Sequence, residues 1–133
     1  MLKTKCIIGK PISKEDGIRI SICSVHTLSD SITKHPKILK GITYNLWYRK
    51  LGPPKSLMGD YQQRDLPWKN YEERYMEYLR SPQIRESVKR LAKRSLEETI
   101  TILSLENNSN FSHRRLLAEE CKIYVPELKI LIE

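Results

Sequence analysis

Glycine is scarce in this chain: five of 133 residues. That leaves little material for a backbone cradle around a phosphate, and neither a Walker-type loop nor GxGxxG is present. HExxH, GxSxG and paired carboxylates for hydrolysis are missing as well. No apolar run approaches the ~20 residues a membrane helix needs. Met1 to Lys5 leads into an apolar stretch too brief for the core of a signal peptide. Cysteine is limited to Cys6, Cys23 and Cys121, with no CxxC or Cys/His spacing of a zinc site. The expectation is buried thiols in a reducing cytoplasm, with no metal, no cofactor and no membrane partner.

An apolar fraction of 39% with 30% charged residues suits a single folded domain over 1–133, long enough to bury its own core. The formal charge of +8 and a pI near 9.5 raise the prospect of a polyanionic partner, although charge also serves solubility.

Residues Lys5 to Gly9 and Ile18 to Val25 read as strands, the second alternating polar and apolar positions. Pro11 to Gly17 reads as their connecting loop. Leu28 to Lys40 has room for a short helix interrupted by Pro36, and Tyr44 to Leu51 reads as an aromatic strand. Gly52-Pro53-Pro54 breaks regular structure. Trp68, Tyr71, Tyr75 and Tyr78 recur at helical spacing after Asp65 and Pro67, which suit a helix start. Ser81-Pro82 opens a second helix with Ile84, Val88 and Leu91 facing inward. Thr99 to Leu105 reads as a strand covered on both faces, and Asn107 to Asn110 as a loop. A helix over about Ser112 to Lys122, with Leu117 and Cys121 inward, precedes a strand over Leu128 to Ile132. Strand, helix and strand in that order imply a crossover and a parallel pair. The fold class is therefore α/β: a small layered domain with a mostly parallel sheet flanked by helices.

Ligands of open parallel sheets bind at the carboxyl ends of strands. Glu106 occupies such an end, and Ser112, His113, Arg114 and Arg115 open the next helix. Cations at a helix N-terminus are electrostatically misplaced. Either they receive an anionic group there, a nucleotide or nucleic-acid phosphate, or Glu106 neutralises them internally. His113 with Glu106 as its orienting partner would instead make an acid–base pair for an enzyme on a phosphorylated or nucleobase substrate. Cys23 at another strand end could approach His113 as a nucleophile or be a buried thiol. Arg85, Lys89, Arg90, Lys93 and Arg94 form a basic helix that would follow a phosphate backbone or serve as a solvated face, partly balanced by Glu86. The aromatic stripe is core, a base-stacking platform or a homo-oligomer interface.

Several of these segments carry a family likeness. Glu15-Asp16-Gly17-Ile18-Arg19-Ile20, Trp47 to Leu51 with Pro53-Pro54, Trp68-Lys69-Asn70-Tyr71 and Arg74-Tyr75 resemble the YeaO-like domain-of-unknown-function family 488. So do Ile100 to Glu106 and Ser112-His113-Arg114-Arg115-Leu116-Leu117-Ala118, the most specific segment. The resemblance implies an α/β fold with a largely parallel sheet and no established activity. In one branch a cysteine often precedes the His-Arg pair and another lies in the preceding strand; this chain has Ser112 and Ser104 there. After Arg19 the branch with the Asp-Gly entry usually shows an Asp-Arg pair, where this chain has Cys23-Ser24.

Overall fold

A computed structural model describes residues 1–28, 30, 32–106 and 108–133. Five strands are formed: β1 (Leu2–Cys6), β2 (Ile18–Ser21), β3 (Leu46–Trp47), β4 (Ile100–Ser104) and β5 (Ile130–Leu131). They build one sheet in the order β3-β2-β4-β1-β5, with every pairing parallel. Four α-helices accompany it: α1 (Lys55–Gln63), α2 (Trp68–Leu79), α3 (Pro82–Glu97) and α4 (His113–Tyr124). The α/β fold expected from the sequence is what forms, and β4 lies at its centre with all five residues buried. No helix among the described residues is long and apolar enough to cross a membrane.

The two faces of the sheet are covered differently. Leu2, Ile20, Ile100 and Ile102 belong to the larger core with Tyr71, Tyr75, Val88, Leu91 and Leu117 from the helices. Leu103 on the opposite face joins a smaller core with Ile7, Cys23, Ile38 and Tyr44. The topology accounts for this. Right-handed crossovers moving in opposite directions along a parallel sheet cover opposite faces. The connections β3-to-β4 and β4-to-β5 carry the four α-helices one way; β1-to-β2 and β2-to-β3 run the other way, with no α-helix among their described residues.

Several boundaries differ from the sequence reading. The first strand starts at Leu2 and ends at Cys6, because Leu2 to Cys6 pair with Ile100 to Ser104. The second ends at Ser21; beyond it the backbone leaves its ladder for the loop. Only Leu46 and Trp47 of the aromatic segment are strand, and Arg49–Leu51 close into a 3₁₀ turn. Leu28 to Lys40 holds no helix among its described residues; Ser29 and Ser31 lie outside them, as does Asn107 of the expected 107–110 loop. Helix α1 went unforeseen: Pro54 stands at its N-cap and Leu57 is buried beneath it. Asp65 does not cap α2, whose N-cap is Pro67; Ser81 is the N-cap of α3 with Pro82 following, but its hydroxyl donates to the Tyr78 carbonyl rather than accepting from the helix. Finally, β5 pairs with β1, not β4, so the last crossover skips one strand.

Gly17 is where the chain enters β2. Its φ is +64°, and an added Cβ would lie 2.1 Å from the Thr99 carbonyl oxygen. Just before it, Asp16 is buried and receives Lys5 Nζ at 3.0 Å and the Ser13 backbone N–H at 2.9 Å. Burial acts to raise the Asp16 pKa, but these bonds and the charges of Lys5 and Lys3 outweigh it, leaving the carboxyl below its ordinary value. The Gly17→Ala variant should lose about 2–3 kcal/mol, from backbone strain and the clash with Thr99 just before β4. Urea denaturation checks this; an unchanged midpoint would mean that β2 enters the sheet differently.

Candidate active site

The central strand β4 leads to the start of α4 through a connection that carries the 3₁₀ turn Ser109–Phe111. Ser112 is the N-cap, its hydroxyl accepting from the Arg114 backbone N–H at 3.2 Å. His113 and Arg114 follow in the first turn, both buried. Arg114 is fully enclosed, and its side chain turns back toward β4. Nη1 lies 3.0 Å from the Ser104 hydroxyl and 3.0 Å from the Ser112 hydroxyl, and donates to the Glu106 carbonyl; Nη2 donates to the Glu133 carbonyl at 3.1 Å. Burial lowers its pKa against the opposing charge of Glu106. The cation at the helix start thus serves as a strut. Arg115 lies outside this cluster, bound to the carbonyls of Ser109 and Asn110 and to Glu119.

His113 Nδ1 makes a close ion-pair contact with Glu106 Oε1. The His113 side chain is 3% exposed and that of Glu106 25%. Both imidazole nitrogens are enclosed, and by hydrogen-bond geometry neither Nδ1 nor Nε2, nor Glu106 Oε2, has a partner among the described residues. Burial works to raise the Glu106 pKa, but the charge and close approach of His113 overcome it and hold the carboxyl at about 2. An ionised carboxylate beside Nδ1 favours the tautomer that carries its proton on that atom.

The pair opens into a cleft of about 660 Å³. One wall is α1, whose Lys55, Met58, Gly59, Gln62 and Gln63 share a helical face. The second is aromatic: Tyr61, Trp68 and Tyr71, with Trp68 stacked on Tyr71 at 5.0 Å between ring centroids. Cys23, Ser24 and Leu28 belong to the third. Burial, with smaller contributions from Glu106 and Cys6, pushes the Cys23 thiol up to about 12. It is therefore a poor source of thiolate at neutral pH.

The other expected residues disperse. The cations of α3 do not form one stripe: Arg90 and Arg94 flank a separate groove with Arg49 and Lys50, whereas Lys89 lies over the Tyr124 ring at 5.4 Å. Glu86 pairs with Lys89 at 3.8 Å, and Arg90 donates to Ser87 instead. Arg85 and Lys93 are exposed. In the aromatic stripe Tyr71 and Tyr75 are core, so this face of α2 is occupied within the molecule; Trp68 and Tyr71 line the cleft. Sequence reasoning missed the α1 wall. Its signal was Leu57 and Tyr61 at helical spacing behind Pro54.

The β4–α4 segment with the strongest family likeness is also the segment that builds this pair. The profile of the active DUF488-N3 subclade matches residues 2–123. The chain belongs to this family. No curated protein and no solved structure matches the chain. In this DUF488 member the two serines singled out by the family likeness, Ser104 and Ser112, meet with hydroxyls 3.3 Å apart over Arg114.

Two outcomes follow. Arg114→Lys should lose about 2 kcal/mol in urea denaturation, since an ammonium cannot hold hydroxyls and carbonyls on several sides at once and buried acceptors go unpaired. The folded-state pKa of Glu106 lies below the ordinary 4.5, so its stabilisation is complete above about pH 4.5 and fades toward pH 2. The stability difference between the wild type and Glu106→Gln should accordingly shrink across that window; a difference independent of pH would rule out the ion pair.

Proposed function

We propose that this protein is an enzyme acting on a phosphorylated or nucleobase substrate, with His113 as general acid–base and Glu106 as its orienting partner. The observation that carries this reading is the close Glu106–His113 ion-pair contact at the end of an aromatic-walled cleft that His113 and Glu106 both line. A carboxylate on Nδ1 stabilises the imidazolium when Nε2 takes a proton and sets the tautomer that returns it. The cleft lies at the C-terminal ends of β2 and β4, where parallel sheets place their ligands. Trp68 and Tyr61 offer ring edges and faces to a planar base, and Lys55 brings a cation for a phosphate. The family profile's designation as an active subclade agrees with this reading.

An anion receptor made of His113, Arg114 and Arg115 has less support. Arg114 is committed to Ser104, Ser112, Glu106 and Glu133, Arg115 is committed to Ser109, Asn110 and Glu119, and neither lines the cleft.

A thermal-shift series with nucleosides and nucleoside monophosphates at low and high salt is the first test. Stabilisation that survives salt and disappears in Trp68→Ala is expected. Turnover of the stabilising compound, followed by chromatography, should fall about 10²–10⁴-fold in His113→Gln while binding persists. Turnover at the wild-type rate in that variant would end the proposal. Because Glu106 stays ionised down to about pH 2, the rate should show no loss near pH 4.5 from its protonation.

A further inference from the structure

A second concave site lies away from the cleft, and no residue lines both. It is a groove of about 630 Å³ between the segment Trp47 to Leu51 and helix α3. Arg49 and Lys50 stand on one bank, Arg90 and Arg94 on the other. Arg49, Lys50 and Arg90 are exposed, and none has a carboxylate partner among the described residues. Arg94 pairs with Glu98 at 2.6 Å and reaches the Tyr48 hydroxyl at 3.4 Å. The floor is apolar, formed by the buried Leu51 and Leu91.

These cations are held in position. The Arg49 guanidinium lies 4.3 Å over the Trp47 ring. Trp47 is itself fixed by its Nε1–H, which donates to the Cys23 carbonyl at 2.7 Å, and by His26 stacked at 3.7 Å. Burial, with a smaller contribution from Arg49, lowers the His26 pKa to about 4. With His26 and Arg49 both on Trp47, the indole is engaged already and the groove's chemistry is that of its guanidiniums. On α3 the two arginines are one turn apart, roughly 6 Å along the axis, and they face Arg49 and Lys50 across the gap.

We infer that this groove binds the phosphate backbone of a single-stranded nucleic acid. Two basic banks over an apolar floor enclose one strand, and the net charge of +8 favours approach of a polyanion. Reading the bases of a duplex calls for an element protruding into its major groove; here α3 forms a bank of a concavity instead.

The test is fluorescence anisotropy with a labelled uridine oligoribonucleotide of about 15 residues, at about 50 and 200 mM salt. Binding that weakens on the order of ten-fold between these salts is expected. Arg49→Ala with Arg90→Ala should weaken it about ten-fold and reduce the salt slope by about 1.4, some 0.7 for each phosphate no longer neutralised. Arg49→Lys with Arg90→Lys should restore most of the binding. Arg85→Ala with Lys93→Ala should leave it within about two-fold, and thermal melts of each variant separate folding from binding. The inference is overturned by no anisotropy change at the lower salt, by a duplex binding as tightly as the single strand, or by indifference to the Arg49/Arg90 pair. Because His113 lies outside the groove, binding that persists in His113→Gln keeps this outcome separate from that of the catalytic proposal.

Discussion

The enclosed guanidinium of Arg114 ties together the parts that make the site. A buried cation needs acceptors for its donors; here Nη1 and Nη2 find them on three segments, the end of β4, the cap of α4 and Glu133, whereas Nε has no hydrogen-bond partner among the described residues. Holding these two nitrogens sets the geometry of the connection between strand and helix. Glu106 and His113 lie at the ends of that connection, and their contact depends on the same arrangement. The hydroxyls of Ser104 and Ser112 matter as acceptors for Arg114 as much as for capping.

The all-parallel sheet supplies the setting. Each strand ends on the same edge, so Cys23, Glu106 and the α4 N-terminus gather there although they are far apart in the chain. Helices cover one face because both crossovers toward β5 carry them, and irregular connections cover the other. The cleft opens where α1 and α2 meet this edge. The basic groove forms at the β3 side, between α3 and the 3₁₀ turn after β3.

Much of this is readable from residues in order. The continuous apolar run Ile100 to Leu103 announces a strand buried on both faces. Spacing alone places Leu117 and Cys121 inward, and position between strand and helix singles out Glu106 with His113. Other features are not readable. Helix α1 is short, and its polar residues Gln62 and Gln63 obscure a periodicity that rests on Leu57 and Tyr61. The committed state of Arg114 depends on Glu133, nineteen residues onward, and local patterns are silent about such a contact. The α3 cations resemble one charged face because they are neighbours in sequence, whereas a helix turns about a quarter circle per residue and separates them.

Sequence alone determined the α/β class, the inward faces of α3 and α4, and the family, because these depend on periodicity and on motifs contained within short segments. Tertiary structure decided which cations remain available and which are consumed. It turned Arg114 inward as a strut, left Arg49, Lys50 and Arg90 without carboxylate partners among the described residues, and pushed the Cys23 thiol up to about 12. It also brought Glu106 against His113. The physical reason is that burial and hydrogen-bond satisfaction are properties of neighbours in space. Charge and hydropathy travel with the residue; availability is settled by what packs against it.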